Sequence, residues 1–349
     1  MHLVGPGART PNTDLSGGVV ACNEERTIRG AIVSLLAQEL PRGFAWSDLW
    51  VVASGCTDRT VPIVEEIARQ DPRVHLVVEH HRQGKSAAIR QVLARARGDR
   101  VVLLNGDARA EPGAIAALLR VTTDLAPPFG AMARPVPPQG TGRLFEALSL
   151  LWELHHELHL RLLGTARGTH LSDELMLLST RSLPALPPGT INDGSYLAAS
   201  ISRAGGALRY APAAKVALSV PGNFRDHLVQ RRRILFGHHQ VAAAVGLPPS
   251  TFPRFARASP GEALRLLFRT TLVRPRGLRS LFFLASIETA AFLFSVGDRL
   301  LSRHDHVRWQ RVPERIDAYE GLPVCGSGRR ETGSPAEPRA LPRASATHP

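Results

Sequence analysis

The stretch "RVVLLNGDARAEP", Arg100–Pro112, carries an apolar strand directly into Asn105-Gly106-Asp107. Asp107 is either a turn residue that ends the strand or a carboxylate held out to grip a cation. The local chemistry suits both readings, so the neighbouring segments decide.

Toward the N-terminus, strand and helix patterns alternate. Gly18–Cys22 ("GVVAC") is a short apolar run. Asn23 stands where a helix N-cap belongs, Glu24 and Glu25 fall in the expected first turn, and Ile28, Ile32, Leu35 and Leu36 keep helical spacing. Leu49–Ala53 is a second strand, closed by "SGCTD". Val61, Val64, Ile67 and Ala68 mark the next helix, which Asp58 is placed to cap near Thr60. Val74–Val78 is a third strand and Ser86–Ala96 a third helix. This alternation predicts an α/β fold, a Rossmann-like, mostly parallel sheet flanked by helices. Such open sheets bind ligands at the carboxyl ends of their strands. The turns "NEE", "SGCTD", "RQGK" and "NGD" gather at that edge.

Toward the C-terminus the pattern loosens from about residue 130. "FEALSLLWELHHELHLRLLG" is an amphipathic helix and "ELMLLST" a strand; "TINDGSYLAASISRAGG" precedes the strands "LRYAP" and "KVALSV", and "NFRDHLVQRRRILFGHHQ" is a long basic helix. The expected organisation is a flexible N-terminus (1–17), one domain in two halves (18–125 and 126–245), a basic and apolar helical segment (246–322) and a disordered tail (323–349). Within that segment the apolar run Leu281–Val296 is interrupted by Glu288 and falls short of the roughly 20 residues a spanning helix needs. A helix lying on an anionic membrane surface, flanked by Arg265, Arg269, Arg274, Arg276 and Arg279, is one expectation; an ordinary buried helix is the other.

Composition narrows the function classes. The 349 residues carry a formal charge of +13, and only Lys85 and Lys215 are lysine, leaving 41 of the 43 basic residues as arginine. Such charge favours phosphates on nucleotides, nucleic acid or anionic lipid. Yet the arginines are scattered and aromatics are 5% of residues, which argues against a base-stacking surface, so no nucleic-acid partner is expected. A dinucleotide-dependent oxidoreductase needs a glycine-rich turn after its first strand, and "ACNEER" has no glycine. Three cysteines form no ligand set or disulfide framework, and the opening residues lack a signal-type apolar core. A cytoplasmic location, peripheral on the membrane face, is expected. His155, His156, His238 and His239 come as adjacent pairs, so no dedicated zinc site is expected.

Five segments, "VVACNEERTIRGAIVSLLAQ", "VVASGCTDRT", "HRQGKSAAIRQVL", "LLNGDA" and "QRRRILFGHH", resemble in order the motifs of family-2 inverting nucleotide-sugar glycosyltransferases, over roughly residues 18–245. The resemblance implies a glycosyltransferase A-type fold, a nucleoside diphosphate-sugar donor and a Mg²⁺ or Mn²⁺ ion. Asp107 matches the metal-binding last Asp of the family's Asp-x-Asp motif, while Asn105 and Gly106 stand in place of its earlier residues. A divalent cation offsets the charge that grows on a leaving diphosphate, and phosphates and waters complete its shell. Cys22, Asn23 and Glu24 match the nucleotide-contacting turn, and Asp58 the aspartate that bonds base or ribose. Arg82, Gly84 and Lys85 match the phosphate-side loop, and Gln230 and Arg233 the Gln-x-x-Arg-Trp helix, with Ile234 replacing its tryptophan. Arg231, Arg232 and Arg233 also fit a solvated basic face. Inverting transfer needs a base for the acceptor hydroxyl. The resemblance points to Asp193, with Asn192 replacing the usual acidic partner and Asp173 and Glu174 as rivals. The acceptor, a glycan, lipid carrier or metabolite, is not encoded in any motif. The competing function is a non-catalytic nucleotide-sugar binder of the same fold.

Overall fold

The computed structural model describes residues 13–301, apart from 139, 164–167 and 275, together with His306 and 315–316. The apolar runs of the N-terminal third become β1 (Thr13–Ala21), β2 (Phe44–Ser54), β3 (Val74–Glu79) and β4 (Arg100–Asn105). They alternate with α1 (Ile28–Leu36), α2 (Thr60–Gln70) and α3 (Lys85–Leu93). Then follow β5 (Ala108–Ala110), α4 (Ala114–Val121), β6 (Phe129–Val136), α5 (Arg143–Leu162), β7 (Leu175–Ser179), α6 (Asp193–Arg203) and β8 (Ala207–Leu218). The chain continues through β9 (Val220–Pro221), α7 (Phe224–Val245), α8 (Phe252–Ala258), α9 (Pro260–Leu272), α10 (Gly277–Leu301) and β10 (Arg315–Ile316), which pairs with β9.

One eight-stranded sheet has the order β3-β2-β1-β4-β7-β6-β8-β5. β1 runs parallel to β2 and β4, β2 to β3, and β6 to β8. β7 opposes both β4 and β6, and β5 opposes β8. The sheet is therefore mostly parallel, as the strand–helix alternation predicts, with two strands reversed.

Alternation along β4 shows how the layers are built. Val102 and Leu104 enter one core with Ile28, Ile32 and Leu35 of α1, Val64 and Ile67 of α2, and Ile115 and Leu118 of α4. Val101 and Leu103 enter the other with Ile89 and Val92 of α3 and Leu197 and Ile201 of α6. A strand covered on both faces reads as a continuous apolar run, which is why "VVLL" has no polar interruption. A third core joins Leu150, Leu154 and Leu158 of α5 to Phe255 of α8, Leu266 of α9 and Leu284 of α10.

Several local expectations change. β1 begins at Thr13, inside the stretch expected to be flexible, and residues 1–12 and the expected disordered tail lie outside the described residues. "LRYAP" and most of "KVALSV" form one strand, β8, whose register against β6 shifts between Ala133 and Arg134, while Val220 belongs to β9. Asn23 does not cap α1: that helix starts at Ile28 after Thr27, with no acidic residue in its first turn. Asn23 instead adopts a left-handed backbone (φ 57°), and its Oδ1 accepts from the Thr57 N–H at 2.7 Å. α10 spans 25 residues, longer than its apolar run, and by length and composition alone it is sufficient to cross a membrane.

Candidate active site

The carboxyl ends of β1 to β4 and the amino end of β7 lie along one sheet edge, because β7 runs antiparallel to β4. The Asn105 N–H donates to the Glu174 carbonyl, so "NGD" and "SDE" are neighbours in space. Gly106 is tightly fitted: its N–H donates to the Val20 carbonyl, and a Cβ there would stand 2.9 Å from the Ala21 Cβ. Over this edge opens a cavity of about 1230 Å³.

Cys22, Glu24, Arg82, Gly84, Lys85, Asn105, Gly106, Asp107, Gln230 and Arg233 all line the cavity. Asn23, Asp58 and Asp193 are not part of its wall. Asp58 ties two turns together: Oδ1 accepts from the Thr60 N–H and hydroxyl at the head of α2, and Oδ2 accepts from the Glu25 N–H.

The densest chemistry is a cluster of carboxylates around Lys85. Its ammonium pairs with Asp173 and lies 3.6 Å from Asp193 Oδ2. Burial pulls Lys85 toward deprotonation, but the Asp173 and Asp193 carboxylates outweigh that and raise its proton affinity. Burial raises Asp173 as well, but Lys85 overcomes it and holds that carboxyl below its usual range. Asp193 is 1% exposed, and burial with the nearby Asp173 charge pushes it up to about 6 despite Lys85. Glu174 lines the cavity, accepts from the Ser172 hydroxyl, and is pushed up to about 7 by burial and Asp173.

Asp193 reaches this cluster through local backbone geometry. Asn192 caps α6, its Oδ1 accepting from the Ser195 N–H at 3.1 Å, so Asp193 is not the cap. Gly194 allows the helix start to press on the strand lead-in, since a Cβ there would meet the Leu171 carbonyl oxygen at 2.3 Å. The basic helix α7 is not a solvated face. Arg231 makes a two-pronged pair with Glu288 of α10, and Arg232 pairs with Asp298. Arg233 donates to the carbonyl oxygens of Ile191 and His306.

Histidine spacing needs correcting. His155 and His159 are one helical turn apart, and with His170 they place ligand nitrogens within 4.8 Å of one another on the cavity wall. The i, i+4 pair was present in "LHHELHL", but His170 lies beyond the end of α5, and no spacing rule links it to that helix. Also unforeseen is the apolar part of the wall, where Leu151 and Trp152 of α5 meet Leu281, Leu284 and Phe292 of α10.

The sheet order, the edge location of the cavity and the carboxylates at the end of β4 define a glycosyltransferase A-type fold. A mannosyltransferase from Pyrobaculum calidifontis, solved in complex with GDP-Man and Mn²⁺, shares this fold at a TM-score of 0.53 and 22% identity, covering 84% of this chain and 81% of its own. Residues 16–163 match the Glycosyl transferase family 2 model. Beta-monoglucosyldiacylglycerol synthase of Synechocystis sp. is 31% identical over 133 residues, 37% of this chain. The chain matches about a quarter of that relative's length, 27%.

Proposed function

We propose that the protein is an inverting glycosyltransferase, moving a sugar from a nucleoside diphosphate-sugar to an acceptor with a lipid portion, at the cytoplasm-facing surface of an anionic membrane. One observation carries this reading. The phosphate-side loop with Lys85, the "NGD" turn and the Asp173 and Glu174 carboxylates converge at one cavity edge, with buried Asp193 3.6 Å from Lys85, in a chain whose residues 16–163 match a family-2 model.

On the donor side, Arg82 and Lys85 are cationic partners for the diphosphate. Oxygen donors at the end of β4 suit a hard divalent cation: Asp107 offers a carboxylate and Asn105 an amide oxygen, with phosphates and waters as the remaining ligands. Mg²⁺ or Mn²⁺ held there would offset charge on the departing diphosphate. On the acceptor side a carboxylate takes the hydroxyl proton as oxygen attacks the anomeric carbon and the bond to the diphosphate breaks. Asp193 is the proposed base. Its proton affinity lies near neutrality, and Asn192 frees it from capping. Its burial requires a side-chain movement to meet an acceptor, whereas Glu174 already faces the cavity and is the second reading.

The apolar wall supports a lipid-bearing acceptor, the class named in the Synechocystis relative. Its neighbouring surface supports the membrane. Leu264, Phe268 and Leu272 form an exposed stripe on α9, and Leu278, Phe282, Leu293 and Leu300 another on α10, with Arg265 and Arg269 alongside. Glu288 and Asp298 tie α10 to α7, which favours a helix lying on the surface over one crossing it. The test is a screen of UDP-, GDP- and TDP-sugars for nucleoside diphosphate release, with lipid acceptors in anionic vesicles and with or without Mg²⁺ or Mn²⁺. Donor-specific, acceptor-dependent release supports the transferase; nucleotide binding without release across the screen favours the non-catalytic binder.

A further inference from the structure

One histidine cluster on the cavity wall takes no part in the chemistry above. His155 and His159 project from successive turns of α5, and His170 approaches both from the segment before β7. Ring centroids are 4.0 Å apart for His155–His159, 5.2 Å for His159–His170 and 5.7 Å for His155–His170. Hydrogen bonds fix how two of these rings present their nitrogens. His159 Nδ1 lies 2.7 Å from the His155 carbonyl oxygen, which only accepts, so Nδ1 carries the proton and Nε2 keeps its lone pair. That Nε2 is buried without a hydrogen-bond partner in a side chain 1% exposed. His170 Nδ1 lies 2.8 Å from Ser195 Oγ, which directs its Nε2 elsewhere. His155 Nδ1 is also buried and unpartnered. Bare buried nitrogens are costly, and two of them with a third imidazole converging on them make the arrangement metal sites use, second-layer hydrogen bonds included.

We propose that His155, His159 and His170 form a tris-imidazole site for a zinc-class transition-metal ion, with its fourth position open to the cavity. The donors are all imidazole nitrogens, which suit zinc and its neighbours rather than the oxygen-seeking cations proposed at Asp107. Zinc bonds of about 2.0–2.1 Å set tetrahedral ligand nitrogens about 3.3 Å apart. Small side-chain rotations close the cluster from its present spacing. A bound ion fastens α5 to the segment leading into Asp173. Through Ser195 it also touches the α6 turn that carries Asp193. The ion thus acts on the carboxylate cluster by positioning.

The full chain, freed of metal by chelator dialysis, is titrated with Co²⁺ and then with Zn²⁺, without nucleotide. The expected result is about one Co²⁺ per chain with the strong visible bands of a tetrahedral site, displaced by an equivalent of Zn²⁺. His159→Gln and His170→Gln lose those bands while circular dichroism shows a folded chain. Asp107→Ala keeps them, which separates this site from a donor-linked cation and from any failure of the transferase reading. Wild-type protein without tetrahedral Co²⁺ bands overturns the proposal, whatever the variants do, and so does undiminished binding by folded His159→Gln.

Discussion

Lys85 and Asp193 show how much of the site depends on single residues. Lys85 is one of only two lysines, and its ammonium answers Asp173 and Asp193 together. Replacing it with alanine leaves carboxylates crowded in a partly buried place without a counter-charge. Lys85→Ala is expected to lower stability by about 3 kcal/mol, measured by urea unfolding, and to weaken donor binding. Asp193 gives the pH dependence its sign. A carboxyl raised to about 6 in the folded chain, against about 3.9 unfolded, holds its proton more tightly when folded. Its ionisation therefore costs stability as pH rises from about 4 to 6, whereas a base must be ionised to act. The logarithm of kcat/KM is expected to rise with pH and level off above about 6, and Asp193→Asn to abolish turnover while nucleotide still binds. Full activity in Asp193→Asn, with loss in Glu174→Gln, transfers the role to Glu174.

At the level of elements, legibility follows from how local the signal is. β1 to β4 and their helices were readable because each apolar face is periodic within its own segment, and the β4 run shows burial on both faces. The reversal of β7 was not readable, although it brings Asp173 and Glu174 beside Asn105, because strand direction depends on connections across the sheet. Asn23 was misread for a similar reason: its partner is Thr57, in the next turn of the sheet edge. The Arg231–Glu288 pair joins helices 57 residues apart, which disguised a buried contact as a basic run. The roles proposed for the site residues rest on the family resemblance, because no periodicity encodes them. Gly194 tests the element-level account. Gly194→Ala drives a methyl into the Leu171 carbonyl and is expected to cost about 1–3 kcal/mol in a thermal or urea melt, with activity falling as Asp193 is displaced.

Across the whole molecule, the sheet edge carries the proposed phosphate site and the C-terminal helices supply an apolar, basic flank. Phe282 is 77% exposed on α10, so at the proposed membrane surface its burial in lipid would add affinity without altering the core. Phe282→Asp with Leu293→Asp is expected to abolish sedimentation with anionic vesicles and leave the melting temperature unchanged. Unaltered vesicle binding by that pair assigns the surface another role. The proposed transfer reaction would join the two sides of the cavity, and it tests the central claim most directly. With the matching donor, a divalent cation and a lipid acceptor in vesicles, wild-type protein is predicted to release nucleoside diphosphate in step with glycosylated lipid, and Asp107→Ala to release neither. Transfer undiminished in Asp107→Ala, or tight nucleotide binding with no release from any donor, would contradict the account.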